Sequence, residues 1–247
     1  MKIRILIFLC FASLFADTYA ARQDIPYVKQ WLPGNNKGAC GAACLAMVYK
    51  SFNKEFDQKS IFYKIAIKVK DGSACANFLM ARDALRRGFY AINLEIRRPR
   101  DFIELFKNGN IDDSVRVIVT QRPTMDAKDW HETVLVEVTD KHVIVHDPLL
   151  KPSRRIGKEV FLKMWAGGMV TPNAHNNKIV AVAEKKSRRN NCLICGRHIS
   201  DFTRCPSCRK TIVLQPKDVL GCADNQCAGR LWNDMYCPYC ERAIQSV

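Results

Sequence analysis

The chain has 247 residues, of which 48% are apolar and 26% charged, which excludes a disordered or a fibrous protein. The formal net charge of +15 would suit binding to nucleic acid or anionic lipid. Net charge alone, however, affects only solubility and the electrostatic steering of partners, and it does not identify a partner. Twelve cysteines exceed the needs of an ordinary core, and eight of them fall between Cys192 and Cys240. This lopsided placement predicts two parts, of which the second needs metal or disulfides.

The first twenty residues predict a secretory signal peptide. Lys2 and Arg4 precede an apolar run over residues 5–15, and small residues stand at Thr18 and Ala20. A membrane-spanning helix needs about 20 apolar residues, and this run is shorter. We therefore expect residues 1–20 to be removed, and the mature protein to be exported, periplasmic or secreted, without a membrane span.

The next part of the chain changes from a helical to a strand pattern. Apolar residues recur at three-to-four spacing between residues 40 and 87. Short runs rich in valine and isoleucine then predict strands at residues 90–95, 115–120, 133–138, 142–146 and 179–183. Helices followed by strands indicate an α+β domain with an antiparallel sheet, with Asp140-Lys141 as a hairpin turn. We place this domain at residues 21–183 and a basic linker at residues 184–191.

Cys40 stands where a loop becomes a helix. Backbone N–H groups and the positive end of the helix dipole at such a position would favour its thiolate, as a nucleophile requires. Cys44 lies one turn further along, on the apolar face of the helix, and Cys75 has no basic neighbour in the sequence. We interpret Cys44 and Cys75 as core residues.

A histidine and an aspartate stand on consecutive predicted strands. His131 begins one strand and Asp147 ends the next, and two strands joined by a turn run antiparallel, so the two residues are expected to be neighbours. Asp147 would then orient an imidazole that takes the proton of Cys40. His142 and His146 are rival bases, but their alternating positions put them on the sheet face opposite Asp147.

These residues carry a family resemblance. The residues concerned are Gln30 … Cys40-Gly41-x-Ala43-Cys44-Leu45-x-Met47, Leu85-Arg86-Arg87-Gly88-Phe89, His131, Asp147-Pro148 and Glu159-x-Phe161-x-x-x-Trp165. Together they resemble the bacteriocin-processing type of papain-like cysteine peptidase, which cleaves double-glycine leaders. The resemblance implies a papain-like fold, with Cys40 as nucleophile, His131 as general base and Asp147 as its orienting partner. It also implies Gln30 as an oxyanion donor beside the Cys40 N–H.

The sequence departs from the family pattern in two places. Residue 39 is Ala39, where the family has an acidic residue, and the spacing from Gln30 to Cys40 is longer than in the family. Transport domains, to which bacteriocin-maturing members are fused, are missing here, so the double-glycine substrate does not carry over.

The cysteine-rich tail at residues 192–247 contains an internal duplication. A C-x2-C-x9-C-x2-C pattern is followed by C-x4-C-x9-C-x2-C, and each half ends in Cys-Pro-x-Cys. Paired knuckles bring four thiolates to one zinc ion, so the tail resembles a double zinc ribbon with two structural zinc ions. We expect sequential ligand sets: Cys192, Cys195, Cys205 and Cys208 in one site, and Cys222, Cys227, Cys237 and Cys240 in the other. In an oxidising compartment the alternative is four disulfides.

The sequence therefore predicts an exported cysteine peptidase that acts on a peptide or protein substrate, with the zinc ribbons as a docking tail for substrate or a protein partner. The alternative is a catalytically silent peptide-binding protein of the same fold, tethered by the ribbons. Nucleic acid is disfavoured as a partner, because we expect the protein to be exported and the sequence has no stripe of alternating basic and aromatic residues.

Overall fold

The computed structural model describes residues 23–32, 38–69, 72–166 and 177–245. The predicted signal peptide at residues 1–20 lies outside these ranges. No helix within them is both long and apolar enough to cross a bilayer.

Helices dominate the chain up to residue 86, as the sequence predicts. The elements in order are α1 (Cys40–Ser51), α2 (Gln58–Ile65), β1 (Ala66–Val69), β2 (Gly72–Cys75) and α3 (Asn77–Arg86). Helix α1 is rich in alanine and is buried over its first ten residues, which lets neighbouring elements pack closely around it. Helix α2 begins after Asp57, whose side chain accepts a hydrogen bond from the Ser60 N–H in the manner of an N-cap. The β1–β2 hairpin is absent from the sequence prediction.

Strands dominate the remainder. The elements are β3 (Tyr90–Ile96), α4 (Pro99–Lys107), β4 (Val115–Gln121), β5 (His131–Val138), β6 (His142–Asp147), β7 (Lys151–Gly157), α5 (Lys158–Ala166), β8 (Lys178–Ala183), β9 (Phe202–Arg204), β10 (Thr211–Val213), α6 (Lys217–Leu220), β11 (Trp232–Tyr236) and β12 (Ala243–Ile244). Eight strands form one antiparallel sheet in the order β12-β11-β3-β8-β4-β5-β6-β7. The five predicted strands and the α+β class are confirmed; β7, α4 and α5 were not foreseen.

The two faces of this sheet carry different cores, because successive side chains of a strand point to opposite faces. Val134 and Val136 of β5 pack in a cluster with residues of α1, α2 and α3. Leu135 of the same strand packs on the other face with residues of α4 and α5. A bulge follows Leu135, which brings Val138 to the α4 and α5 face as well.

The cysteine-rich tail belongs to the same sheet. Strand β11 pairs antiparallel with β3, with Met235 opposite Leu94, and Trp232 is fully buried in the cluster that contains α4 and α5. The basic segment at residues 184–191 is also held in place: the Ser187 hydroxyl donates to Asp218 at 2.8 Å. The first part and the tail therefore share one apolar core.

Candidate active site and candidate metal centres

Cys40 is the first residue of α1, and its thiol contacts a carboxylate. The side chain of Cys40 is buried, and its Sγ donates a hydrogen bond to Oε2 of Glu132 over 2.5 Å. Glu132 is the second residue of β5 and is itself buried. Sequence reasoning did not single out Glu132, although a carboxylate inside an apolar strand is a signal that could have found it.

The surroundings of Cys40 favour the protonated thiol. Burial, and after it the negative charge of Glu132, raise the pKa of Cys40 well above its usual value. Burial likewise raises the pKa of Glu132, although the hydrogen bond from Cys40 and the neighbouring His131 act in the opposite direction. Burial and the Glu132 carboxylate therefore oppose the thiolate that the position at the helix start was expected to favour.

The N–H groups at the start of α1 face a different cysteine. The backbone N–H groups of Gly41 and Ala42 point to the sulfur of Cys75, whose thiol donates to the carbonyl oxygen of Gly38 at 3.0 Å. Burial nevertheless raises the pKa of Cys75, with the charge of Glu132 as the second cause. Cys75 is thus a half-buried neighbour of the candidate nucleophile, and Cys44 is a fully buried core residue as predicted.

His131 and Asp147 lie side by side. The imidazole Nε2–H of His131 donates to Oδ1 of Asp147 over 2.7 Å, and Arg154 Nη1 donates to the other carboxylate oxygen over 2.9 Å. Burial acts to raise the pKa of Asp147, but the hydrogen bonds from His131, from the Leu150 N–H and from Arg154 outweigh it and lower the pKa. Asp147 is therefore an ionised carboxylate between two cationic or cation-forming groups.

The hydrogen bond of the Cys40 thiol goes to Glu132, whereas that of His131 goes to Asp147. Along β5, Glu132 shares the α1 face with Val134, whereas His131 shares the opposite face with Leu135. Sequence alternation shows which residues share a face, but not which face packs against the helix, so the identity of the side chain that reaches Cys40 could not be predicted.

The remaining predicted residues lie near the end of β6. Gln30 is buried, and its backbone N–H donates to the carbonyl of Pro148 at 2.8 Å, directly after Asp147. His146 lies on the α1 face, opposite Asp147 as expected. Its Nδ1 accepts from the Ser153 N–H at 3.0 Å and its Nε2–H donates to the Ile25 carbonyl at 2.7 Å. Since these contacts use both ring nitrogens, His146 is not a free base; His142 begins β6 at the far end of the strand.

The eight tail cysteines form two groups of four, within each of which the sulfur atoms lie within 4.8 Å of one another. The ligand sets are Cys192, Cys195, Cys222 and Cys227 in the first tetrad, and Cys205, Cys208, Cys237 and Cys240 in the second. The sequential grouping predicted from the repeated interval is wrong, because the sets are interleaved. The Cys205–Cys208 knuckle follows β9, the Cys237–Cys240 knuckle follows β11, and both pack on the shared core, so these two knuckles meet.

The donor set of each tetrad fits a zinc ion. Sulfur atoms from different knuckles lie 3.6–3.7 Å apart, close to the edge of about 3.8 Å that a tetrahedron with 2.3 Å zinc–sulfur bonds would have. Burial acts to raise the pKa of Cys192, but the N–H groups of Cys195 and Ile194 outweigh it and lower that pKa to about 7. Cys205 reaches a pKa of about 7 in the same way, so each tetrad contains a thiol that ionises readily.

The Peptidase C39 family profile matches residues 26–177, a span that includes Cys40, His131 and Asp147. The match covers more than half of the chain, which therefore belongs to the Peptidase C39 family, a family of cysteine peptidases. No curated protein matches the chain.

The chain is similar to several solved structures. A C39-like peptidase from Bacillus anthracis is 14% identical, with 66% of this chain and 96% of that chain covered and a TM-score of 0.50. The peptidase domain of Streptococcus ComA, a bifunctional ABC transporter of a quorum-sensing pathway, is 17% identical (64% and 98% covered, TM-score 0.48). A double-glycine-motif protease from an AMS/PCAT transporter, solved with its leader peptide, is also 17% identical (66% and 93% covered, TM-score 0.47). At 14% identity the first of these likenesses concerns the fold alone.

Proposed function

We propose that this protein hydrolyses peptide bonds through a thioester on Cys40. The observation that carries the proposal is the family match, which includes Cys40 at the first residue of α1. The hydrogen bond from the Cys40 thiol to a carboxylate supports it, because a thiol that attacks a carbonyl carbon must give up its proton.

In the proposed reaction, Sγ of Cys40 attacks the carbonyl carbon of the scissile peptide bond and loses its proton to a base. The oxyanion that forms would accept hydrogen bonds from the Cys40 N–H and from Gln30, the donor that the resemblance implies. Collapse of the tetrahedral intermediate expels the protonated amine and leaves a thioester, which water hydrolyses. His131 as general base and Asp147 as its partner remain predictions drawn from the resemblance.

We also propose that the tail is a docking module held together by two structural zinc ions. When bound, zinc would link knuckles that are distant in sequence, and four cysteine ligands would leave no coordination position open for catalysis. Leu193 and Ile194, between Cys192 and Cys195, are 66% and 67% exposed, which suits contact with a peptide substrate or a protein partner.

Export is the third element of the proposal. Its support is the basic start, the short apolar run and the small residues at Thr18 and Ala20. N-terminal sequencing of protein recovered from the producing cells tests it: a new terminus at Ala21 in the exported fraction is expected. An intact Met1 terminus inside the cell would contradict export.

A second candidate is the silent peptide-binding protein. The observation that favours it is that the buried Cys40 thiol is hydrogen-bonded to the Glu132 carboxylate, while His131 is hydrogen-bonded to Asp147. Such a protein would bind peptides without cleaving them.

Digestion of a mixed peptide library, read by mass spectrometry of new termini, separates the two candidates. We expect cleavage by the full chain and none by Cys40→Ala, because only Cys40 supplies the attacking sulfur. Cys44→Ala is the matched control, since it removes a thiol one turn further along α1 and should retain cleavage. A Cys40→Ala protein that cleaves like the wild type, or a wild type that only retains peptides, would overturn the peptidase proposal.

A further inference from the structure

The carboxylate of Asp147 is fully buried, and its two oxygen atoms have different partners. Oδ1 accepts hydrogen bonds from Nε2 of His131 at 2.7 Å and from the backbone N–H groups of Leu149 and Leu150 at 3.1 and 3.0 Å. Oδ2 accepts a hydrogen bond from Nη1 of Arg154 at 2.9 Å. The imidazole and the turn after β6 therefore share one oxygen, and Arg154 donates to the other.

Strand β7 places Arg154 beside Asp147. Arg154 pairs with Val145 of β6, two residues before Asp147, and a bulge in the pairing of β6 with β7 lies between Val145 and Asp147. Residues two apart on a strand share a face, so a long side chain opposite Val145 can reach Asp147 as a diagonal neighbour. The guanidinium also donates from Nη2 to the carbonyl oxygen of Pro123 at 2.8 Å, in the loop that leads from β4 to His131. These two hydrogen bonds fix the guanidinium at the end of β6.

The two cation-forming groups beside Asp147 differ in when they are charged. Arginine stays protonated throughout the pH range of ordinary assays, whereas an imidazole that acts as a general base gains a proton and loses it again in each cycle. A buried carboxylate without a positive partner is strongly destabilised. The side chain of Arg154 is only 16% exposed, so solvent screens its ion pair with Asp147 in part only. Whenever His131 is neutral, Arg154 therefore supplies the positive charge in contact with Asp147.

We propose that Arg154 is a positioning residue of the peptidase, a role that rests on the proposed peptidase function with His131 as general base. The permanent charge of Arg154 keeps Asp147 ionised and in one place while His131 is neutral. Asp147 can then orient the imidazole before the proton transfer and stabilise the imidazolium after it. In this role Arg154 exchanges no proton and acts only through Asp147.

The test measures kcat and KM of Arg154→Gln on one peptide that the wild type cleaves in the mixed library. We expect kcat to fall by about 10- to 100-fold with KM unchanged, because a misplacement of about 1 Å in a catalytic arrangement can cost about 10²-fold. Arg154→Lys retains the positive charge, and its kcat should lie between those of the wild type and Arg154→Gln. Arg155→Gln is the matched control, since it removes the same charge from the next, exposed residue of β7 and should change neither constant.

The Asp147→Asn background separates an action through Asp147 from a general structural defect. Loss of an orienting aspartate leaves slow but measurable turnover, so kcat can be compared in this background at high enzyme concentration. Arg154→Gln should slow the wild type but cause no further loss in Asp147→Asn, because the charge on which Arg154 acts is already absent. Equal losses of kcat in the two backgrounds would overturn the role, as would a change confined to KM, or an Arg154→Lys protein as slow as Arg154→Gln.

The outcomes also separate this role from the peptidase proposal. If Cys40→Ala abolishes cleavage while Arg154→Gln has the kcat of the wild type, the role of Arg154 is overturned and the peptidase proposal stands. If Cys40→Ala still cleaves, or the wild type cleaves nothing, the peptidase proposal fails and the role of Arg154 fails with it. Should Arg154→Gln not fold, Arg154→Lys is measured in both backgrounds instead. A loss of kcat in the wild-type background alone would support the role, and equal losses in both would overturn it.

Discussion

The cysteines in the described part of the chain fall in two groups, which differ in the charges that surround the thiols. Around the start of α1, Cys40, Cys44 and Cys75 are packed with Glu132, and burial raises the pKa of all three thiols. A carboxylate in the same apolar cluster makes a second negative charge more costly. These thiols therefore keep their protons.

The tail presents its thiols to backbone N–H groups instead. The Ile194 N–H donates to Cys192 Sγ at 3.4 Å, and the Gly229 N–H donates to Cys227 Sγ at 3.2 Å. Cys192 reaches a pKa of about 7, while burial and its neighbouring thiols raise the pKa of Cys222 to about 12. Four thiols that cannot all ionise without a cation form a site that a divalent metal completes.

Both groups contain several cysteines close together, so the number of neighbouring thiols does not decide whether a thiol ionises. The positive charge or N–H donors available to the sulfur decide it. A metal can supply the counter-charge in the tail, and Arg154 supplies it to Asp147, whereas the hydrogen-bond donor to the Glu132 side chain is the neutral thiol of Cys40.

The largest effect is expected from loss of a ligand in the second tetrad. Structural zinc contributes about 10–16 kcal/mol of binding free energy in small zinc peptides, and that energy is folding energy. Cys237 packs in the core shared with β3, whereas Cys222 belongs to a small cluster of tail cysteines. Cys237→Ser should therefore lower the free energy of unfolding of the whole chain by several kcal/mol, and Cys222→Ser by less, measured by urea denaturation and zinc content. Equal losses would contradict the shared core.

Asp147→Asn removes a compensated buried charge and should cost on the order of 3 kcal/mol, because Arg154 and His131 lose their partner. The folded-state pKa of Asp147 is lowered, so its stabilisation is present above the unfolded pKa of about 3.9 and is lost as pH falls through the folded value. The difference in unfolding free energy between wild type and variant should thus shrink between about pH 5 and pH 3. A difference that grows in acid would show that Asp147 is not ionised in the folded protein.

Alkylation at pH 7 compares the two thiol groups directly. A thiol with a pKa of about 7 is half ionised, whereas one with a pKa above 9 is less than about 1% ionised, so Cys192 and Cys205 freed of metal should react at least about 50-fold faster than Cys40. Because only the thiolate reacts, the rate at Cys40 should rise with pH. Peptide mapping by mass spectrometry measures both, with zinc-loaded protein as the protected control. Faster labelling of Cys40 than of the metal-free tail cysteines would contradict the difference in thiol pKa between the two groups.

Much of the fold could be predicted from local patterns. The strand predicted at residues 115–120 is β4 (Val115–Gln121), because a short run of valine and isoleucine between polar residues has a high β-strand propensity. The β1–β2 hairpin was missed because its strands are short and largely exposed and carry little apolar alternation.

The candidate site was predictable in part. The approach of His131 to Asp147 follows from antiparallel pairing, which sequence order dictates. The contact between Cys40 and Glu132 depends on which face of β5 receives α1, and no local pattern contains that information. The interleaved cysteine sets have the same origin: equal spacings permit more than one pairing of knuckles, and only packing of both hairpins on the shared core selects one.

The smallest effect is expected from adding one methyl group to the cluster around Cys40. A Cβ on Gly41 would lie 2.7 Å from the Cβ of Cys75 and 2.9 Å from the sulfur of Met80, so neighbours must move. Overpacking costs about 1–3 kcal/mol, and the better helix propensity of alanine returns at most about 1 kcal/mol. Gly41→Ala should therefore lower the free energy of unfolding by about 1 kcal/mol and speed alkylation of Cys75 as the packing loosens. Gly157→Ala is the matched control, since its nearest contact would be Val160 at an ordinary 3.9 Å, and it should cost nothing. If the two alanines have the same effect on urea denaturation, the thiols at the start of α1 are not tightly packed, and the difference from the metal-completed tail is smaller than the structure indicates.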